Sequence, residues 1–199
     1  MLTLVHAPKS RSTRFIWLLE ELGAPYEVMK VDIKRAGGEM AGSGARDPRN
    51  PHPHGQVPAL LDGDALIYES AAIALYLTDK FPQVGLGPLV GDAKRGAYLS
   101  WLAYYAGVLE PSVTNHWKGR TASDEGDRQT YDILANHLRD TLRASPWLLG
   151  DNFSAADILF TSPMLFAREL LPDYPEFDDY LVRATARPAL ARAMGRDDA

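Results

Sequence analysis

Hydrophobic positions follow strand-like and helix-like periods in turn through the first 80 residues of the chain. Residues 2–5 and 26–31 have the short apolar or alternating patterns of β-strands. Between them, residues 10–22 carry apolar side chains at helical spacing, and Gly23 follows where a helix would end. A strand, a helix and a second strand with short connections predict a βαβ unit whose strands run parallel.

Residues 56–70 predict a β-hairpin that leads into a second helix. Two apolar runs, 59–61 and 65–68, flank Asp62-Gly63-Asp64, and an Asp-Gly pair in such a place is typical of a tight turn. Residues 70–77 are mostly apolar and predict a largely buried helix. The first part of the chain should therefore fold as βαβ followed by ββα.

The rest of the chain shows helical periodicity only, after a proline- and glycine-rich stretch at 81–88 that marks a domain boundary. Long helices are predicted over residues 93–117, 124–144 and 154–171, followed by short helices separated by prolines. We therefore expect an α/β domain joined to an all-helical one. The expected bounds are 1–80 for the first domain, 81–92 for a linker and 93–199 for the helical domain.

Residues 34–55 predict a loop rich in glycine and proline, with one helical turn near residues 39–41. His52 and His54 flank a proline in this loop. Two histidines without a carboxylate at helical spacing are a weak metal signal. A solvated position or a contact to a ligand explains them better, so we expect no metal.

Composition narrows the chemistry. The chain has 199 residues and a net charge of −5 without a basic run, which argues against nucleic acid as its main partner. It has no cysteine, so any thiol chemistry must use a thiol carried by a ligand. No apolar run is long enough to cross a bilayer, and the first residues lack the apolar core of a signal peptide. We expect a cytoplasmic protein that does not bind membranes.

The predicted helix start at Glu69 and Ser70 has the chemistry of an amino-acid binding site. The first turn of a helix presents unpaired N–H groups and the positive end of the macrodipole, which suit a carboxylate. The Ser70 hydroxyl can add a donor, and Glu69 can receive a cationic amine. Carboxylate and ammonium together form the α-amino-acid end of a ligand.

Val57 precedes Pro58 where the chain enters the hairpin. If the bond between them is cis, the Val57 N–H and C=O turn away from the sheet and can pair with the backbone of a ligand lying antiparallel to them. If the bond is trans, the segment is an ordinary strand start. The residues alone leave both interpretations open.

Hydroxyl side chains cluster after the first strand, at Ser10, Ser12 and Thr13. A hydroxyl beside a helix N-terminus can donate to a thiolate and lower the pKa of that thiol from about 8.5. Serine also caps helix starts. One of Ser10 and Ser12 is expected to cap the helix and the other to be available for chemistry, and the spacing does not say which.

Two features of the helical half have packing explanations. Ser154 and Asp157 fit an S-x-x-D capping box, so Asp157→Ala is expected to cost about 1–2 kcal/mol of folding stability.

An aromatic cluster on the first long helix either packs in a core or dimer interface or lines an apolar pocket. Its members are Trp101, Tyr104, Tyr105, His116 and Trp117.

Four segments, taken in order, resemble cytosolic glutathione S-transferases over essentially the whole chain. They are residues 7–12 leading into 17–23, residues 50–60, residues 69–73, and the box at 154–157. The resemblance implies a thioredoxin-like first domain that binds glutathione and a helical bundle that supplies most of a hydrophobic co-substrate pocket. It also implies a homodimer.

The resemblance assigns roles to individual positions. In such proteins the proline matching Pro58 is cis, and the residue matching Val57 pairs with the cysteinyl backbone of glutathione. The positions matching Glu69 and Ser70 hold the γ-glutamyl ammonium and carboxylate. The position matching Gln56 adds a polar contact. From the adjacent loop we add His54, and from the helical half the pocket residues Trp101, Tyr104, Tyr105 and His116.

The catalytic hydroxyl departs from the commonest family patterns. Different classes use tyrosine, serine or cysteine near the end of the first strand, and this segment lacks tyrosine and cysteine, which leaves Ser10 or Ser12. Alignment of Arg14 with an arginine often seen in serine classes favours Ser10. Arg11 can instead supply a cationic contact to the thiolate. The loop at 50–55 is also longer than the common Asn-Pro-x-Gly form.

The resulting hypothesis is a glutathione transferase for detoxification, in which the glutathione thiolate attacks an electrophilic, mostly apolar small molecule. Two alternatives stay open. One is a non-catalytic glutathione-binding module, which the missing tyrosine and cysteine allow. The other is a glutathione-dependent reductase of peroxides or disulfides.

Overall fold

The computed structural model describes residues 1–34 and 46–197, which belong to two compact units. The first unit comprises Met1–Phe81 and Arg187–Ala199, and the second comprises Pro82–Ala186. The first unit is therefore built from two separate stretches of chain, and the residues of the second unit lie between these stretches in the sequence. The helical turn predicted near residues 39–41 lies outside the described residues.

A four-stranded sheet with the order β2-β1-β3-β4 forms the first unit. β1 (Leu2–His6) pairs in parallel with β2 (Tyr26–Lys30) and antiparallel with β3 (Ala59–Asp62), which pairs antiparallel with β4 (Ala65–Tyr68). The hairpin turns at Gly63, whose φ of 59° lies in the left-handed region that glycine adopts readily. The predicted βαβ–ββα order is confirmed.

One helix lies between two of these strands, and a second helix follows the last of them. α1 (Thr13–Leu22) joins β1 to β2 and ends at Gly23, as predicted, while α2 (Ser70–Lys80) follows β4. α1 buries almost all of its apolar side chains. It begins at Thr13 with Ser12 at its N-cap position, but the expected side-chain cap is not formed, because both serine hydroxyls bond within the preceding loop.

The last helix, α8 (Pro188–Asp197), packs against α1 in the first unit. Its buried face is made of Ala189, Leu190 and Ala193. Three arginines beside that face pair with Glu20 and Glu21 of α1; they are Arg187, Arg192 and Arg196. The sequence assigned these residues to the helical domain, but they pack with the first unit because this face and these charges complement α1.

Five helices form the second unit. They are α3 (Arg95–Tyr104), α4 (Glu110–Trp117), α5 (Glu125–Ala144), α6 (Ala155–Phe166) and α7 (Pro175–Thr185). The helix predicted over 93–117 widens to a π-helix at Tyr105–Leu109, just before Pro111. Proline lacks an N–H and its ring clashes with the carbonyl four residues earlier, so a wider turn relieves the clash.

Asp157 confirms the predicted capping box and extends it. Its Oδ2 accepts the Ser154 N–H and hydroxyl, each at 2.8 Å, and its Oδ1 accepts the Leu148 N–H at 2.9 Å and the Tyr180 hydroxyl at 2.8 Å. Complete burial raises the pKa of Asp157, and these four donors oppose that rise. The carboxyl group thus joins three segments of the helical unit.

Candidate active site

The register of the sheet brings three predicted segments to one of its ends. Val5 of β1 lies opposite Ala59 of β3, and Ala59 lies opposite Tyr68 of β4. Because β3 runs antiparallel to both neighbours, the residues after β1, before β3 and after β4 emerge together. They are the loop with Ser10 and Ser12, the pair Val57–Pro58, and the pair Glu69–Ser70.

Buried side chains join two of these segments. Val5 and Ala7 pack in one apolar cluster with Val57 and Ala59. The Val57–Pro58 bond is cis, as the resemblance implied. The chain entering β3 therefore lies against the chain leaving β1.

Backbone strain is concentrated at this end of the sheet. Among the described residues, the non-glycine residues with positive φ are Lys9, at 53°, and Glu69, at 70°. Such conformations cost about 1–3 kcal/mol and cluster at binding and catalytic sites. Lys9 belongs to the loop after β1, and Glu69 directly precedes α2. Their strain makes this end of the sheet a candidate functional site.

The start of α2 has the features that a carboxylate ligand needs. Ser70 is its first residue and is buried, whereas Glu69 is exposed and its side chain does not cap the helix. The helix N-terminus supplies N–H donors and a positive partial charge. The exposed Glu69 carboxylate beside it can bind an ammonium group.

Ser10 and Ser12 share a hydrogen bond, with their Oγ atoms 2.8 Å apart. Ser12 is fully buried, and its Oγ accepts the Ala7 N–H at 3.2 Å and lies 2.8 Å from His6 Nδ1. Ser10 is partly exposed, and its Oγ donates to the Ala7 carbonyl at 2.6 Å. The two serines differ in accessibility, which the sequence did not reveal.

His6 adds a buried partner to Ser12. Its ring is fully buried, and its Nε2 lies 3.0 Å from the main-chain carbonyl of Asp197, which can only accept. Nε2 therefore carries a proton. The Ser12 hydroxyl lies within hydrogen-bond distance of His6 Nδ1, the Ser10 hydroxyl and the Ala7 carbonyl, so buried neighbours hold it in place. Ser10 is the more accessible of the two serines, and its hydroxyl can turn toward a ligand.

Side chains within the loop over residues 50–56 hold its shape. Asn50 donates to the Gln56 carbonyl and accepts the His52 N–H, both at 3.0 Å, and His52 Nδ1 accepts the His54 N–H at 3.1 Å. Burial lowers the pKa of His52, while the negative charge of Glu69 opposes that shift. The side chains of Gln56 and His54 are exposed, so a ligand can reach them.

The predicted pocket aromatics pack largely against other aromatic side chains of the helical unit. Trp101 is buried and stacks on His137, and Tyr105 is buried with its ring 6.0 Å from that of Phe160. His116 stacks on a buried tyrosine of α5. The less buried members are Tyr104, His116 and Trp117. A pocket role for this cluster stays a prediction.

Sequence reasoning missed two residues of the site, His6 and Asp197. Besides its carbonyl bond to His6, Asp197 accepts the Lys9 N–H at 2.8 Å and the Thr13 hydroxyl at 2.5 Å through its carboxylate. His6 and Asp197 are 191 residues apart, so no local motif connects them.

Within residues 1–34 and 46–197, no cluster of three metal-binding side chains occurs, and no helix is long and apolar enough to cross a membrane.

A βαβ–ββα sheet with this strained helix start, together with a separate helical unit, defines a protein with a thioredoxin-like domain and a helical domain. Family comparison identifies the particular family. Residues 1–79 match the glutathione S-transferase N-terminal domain and residues 97–188 match the C-terminal domain. The chain belongs to the glutathione S-transferase family.

Individual relatives match almost the whole chain. The disulfide-bond oxidoreductase YfcG of Escherichia coli is 30% identical, with 98% of this chain and 94% of that protein covered. A crystal structure of a glutathione transferase from Methylococcus capsulatus is 31% identical, with a TM-score of 0.80 and coverage of 100% and 99%. A sphingomonad glutathione S-transferase complexed with glutathione is 26% identical, with a TM-score of 0.80 and 98% of each chain covered.

Proposed function

We propose that this protein is a glutathione transferase that joins the glutathione sulfur to an electrophilic, mostly apolar small molecule. The observation that carries the proposal is the meeting of three segments at one end of the sheet. One supplies an accessible hydroxyl, one a main-chain edge beside a proline, and one a helix start next to a carboxylate. Membership of the family supports glutathione as the ligand that fits them.

Each segment has a proposed role in binding. The main chain of Val57, beside Pro58, pairs with the cysteinyl backbone of glutathione. Glu69 binds its γ-glutamyl ammonium, and the Ser70 hydroxyl with the first N–H groups of α2 binds its carboxylate. The exposed side chains of Gln56 and His54 add polar contacts from the loop.

Ser10 is the proposed thiolate-stabilising residue. When a thiol approaches, the Ser10 hydroxyl turns from the Ala7 carbonyl and donates to the sulfur, which loses its proton to solvent. The thiolate then forms a carbon–sulfur bond with the electrophile, and the leaving group departs with the bonding electrons. Arg11 is exposed on the same loop and is the candidate for an additional cationic contact.

Replacement of Ser10 tests this assignment. Ser10→Ala removes a hydrogen bond to a charged sulfur, worth about 1.5–3 kcal/mol, so the pKa of bound glutathione should rise by about 1–2 units. Thiolate absorbance titrations measure this rise, and calorimetry should show glutathione binding nearly unchanged. Ser12→Ala is the matched control, and we expect it to reduce folding stability because Ala7 and His6 lose a buried partner. A Ser10→Ala variant that titrates like the wild type would exclude Ser10.

A second candidate activity is glutathione-dependent disulfide reduction, favoured by the similarity to the disulfide-bond oxidoreductase of E. coli. There the same thiolate attacks a disulfide sulfur, the sulfur–sulfur bond breaks, and the displaced thiolate leaves. A second glutathione then releases the first as glutathione disulfide. Parallel assays with an aryl halide and with a mixed disulfide of glutathione distinguish the two, since the preferred reaction has the larger kcat/KM.

Other features remain proposals of the sequence and the resemblance. They are a cytoplasmic location, a role in detoxification, a homodimer, and a co-substrate pocket formed by Trp101, Tyr104, Tyr105 and His116. Glutathione as co-substrate, with no metal, completes the proposed chemistry.

A further inference from the structure

Asp197, at the end of α8, contacts the loop that carries Ser10 from the far end of the sequence. Its carboxylate is buried, with 3% of the residue exposed, and each oxygen accepts one bond from the loop. Oδ2 accepts the Lys9 N–H at 2.8 Å, and Oδ1 accepts the Thr13 hydroxyl at 2.5 Å. One carboxylate therefore bridges the two sides of the Ser10–Ser12 turn.

Both bonds act where the loop needs support. Lys9 has a positive φ of 53°, and a non-glycine residue persists there only when its surroundings hold it. Thr13 is the first residue of α1, and its Oγ1 also lies 3.4 Å from the Ser10 main-chain nitrogen, which donates to it. Asp197 thus fixes the residue before Ser10 and the start of the helix after it.

The main chain of Asp197 acts on the same serines by a second route. Its carbonyl accepts from His6 Nε2 at 3.0 Å, and His6 Nδ1 lies 2.8 Å from the Ser12 hydroxyl. This chain of contacts holds the buried Ser12 hydroxyl through His6 and leaves the partly exposed Ser10 as the adjustable hydroxyl. His6 is an ionisable side chain beside Asp197, and its Nε2 lies 3.5 Å from Asp197 Oδ1.

We infer that Asp197 is a positioning residue for the reaction, which holds the Ser10 hydroxyl at the place where the glutathione sulfur binds. This inference rests on the proposed glutathione chemistry and adds the C-terminal helix to the catalytic machinery. Asp197 does not touch the substrate, and it acts through Lys9, Thr13 and His6.

The test compares Asp197→Ala with Arg192→Gln. Arg192 lies on the same helix and pairs with Glu20 of α1, so its replacement loosens α8 without removing a bond to the loop. Displacement of a catalytic group by about 1 Å costs up to 100-fold in rate, so we expect Asp197→Ala to reduce kcat about 10- to 100-fold. Glutathione affinity by calorimetry should change less than about twofold, since the start of α2 is untouched.

Three further measurements make the comparison decisive. Thiolate absorbance at fixed pH should show less ionised bound glutathione in Asp197→Ala than in Arg192→Gln. Asp197→Asn keeps one acceptor oxygen and should recover part of the rate. Thr13→Val removes the bond to Oδ1 while leaving α8 intact, and it provides the same test if Asp197→Ala does not fold.

The outcomes separate this inference from the proposed function. Equal loss of kcat in Asp197→Ala and Arg192→Gln, or a wild-type rate in Thr13→Val and Asp197→Asn, would overturn the positioning role alone. A wild-type protein that neither binds nor ionises glutathione would overturn the proposed function and this inference together.

Discussion

Glu69 and Lys9 adopt backbone conformations that glycine would adopt at lower cost. At each position one group has a role in the candidate site, the main chain of Lys9 and the side chain of Glu69, and this role explains why the strained conformation is retained. The Lys9 N–H donates to Asp197, and the Glu69 carboxylate is exposed beside the start of α2. Replacement of Glu69 by glycine should therefore raise the stability of the fold and weaken ligand binding.

Glu69→Gly should stabilise the fold while weakening glutathione binding. Relief of backbone strain gains about 1–3 kcal/mol, and the added freedom of glycine in the unfolded chain costs about 0.4–1 kcal/mol, so the free energy of unfolding should rise by about 1 kcal/mol. Loss of the charge-assisted bond to the ligand ammonium should reduce affinity about 10-fold or more. Urea unfolding and calorimetry measure the two effects.

Glu69→Ala is the control, because alanine removes the carboxylate but keeps the strained φ. It should lose affinity as Glu69→Gly does and gain no stability. If Glu69→Gly unfolds at lower urea than the wild type, the strain at this position is not what limits stability.

Single residues show where sequence reasoning succeeded and where it failed. The helix start at Glu69 and Ser70 was predictable, because neighbours in sequence build it. The difference in accessibility between Ser10 and Ser12 was not, because it depends on the burial of His6 and on a carbonyl 191 residues away. Local patterns carry no information about such distant contacts.

At the scale of elements, α8 completes the first unit by covering α1. Arg187 makes a bidentate ion pair with Glu21, with nitrogen–oxygen distances of 2.6 and 2.7 Å, and Leu190 and Ala193 are buried beside it. Exposed ion pairs contribute about 0–1 kcal/mol, so burial of the apolar face supplies most of the docking energy.

Leu190→Ala should therefore lower the free energy of unfolding of the protein by about 2–3 kcal/mol, since the side chain is 8% exposed. Met194→Ala, on the same helix and 56% exposed, should cost about 0.5 kcal/mol or less. Urea denaturation of the two variants provides the comparison. Equal losses would mean that α8 is held mainly by its arginines.

Element ends were harder to predict than element types. The helix predicted to extend to Leu171 ends at Phe166 and is followed by a single 3-10 turn. The next residue is Ala167, so the sequence has no glycine or proline at this position to indicate the end of the helix. The π-helix before Pro111 had a visible cause in the proline, but helical periodicity hardly changes across it. The strand pairing and the order of the helices were predictable, because the hydrophobic pattern that specifies them extends over many residues.

At the scale of the whole molecule, Asp157 anchors the inserted helical unit. Its four hydrogen bonds join the residues before α6 to α7, and both Asp157 and Tyr180 are fully buried. A capping residue at a helix surface has one or two such partners. We therefore expect Asp157→Ala to cost more folding stability than the capping box alone would indicate.

Asp157→Ala should reduce the free energy of unfolding by about 3–5 kcal/mol, because the Leu148 N–H and the Tyr180 hydroxyl lose their buried acceptor. Asp124→Ala removes an exposed cap from α5, in which the Asp124 carboxylate accepts the Asp127 N–H, and should cost about 1 kcal/mol. Chemical denaturation compares them. Similar losses in both would show that the buried network around Asp157 adds nothing to ordinary capping.

The division of the first unit into two stretches of chain has a consequence during protein synthesis. Residues 82–186 leave the ribosome before α8 does, a delay of about 5–20 s at translation speeds of 5–20 residues per second. Throughout that interval the nascent sheet lacks its final helix, and the α1 surface that Leu190 will cover is open to chaperones and proteases. Quality control in the cell can therefore act on this protein before the loop that carries Ser10 acquires its last support.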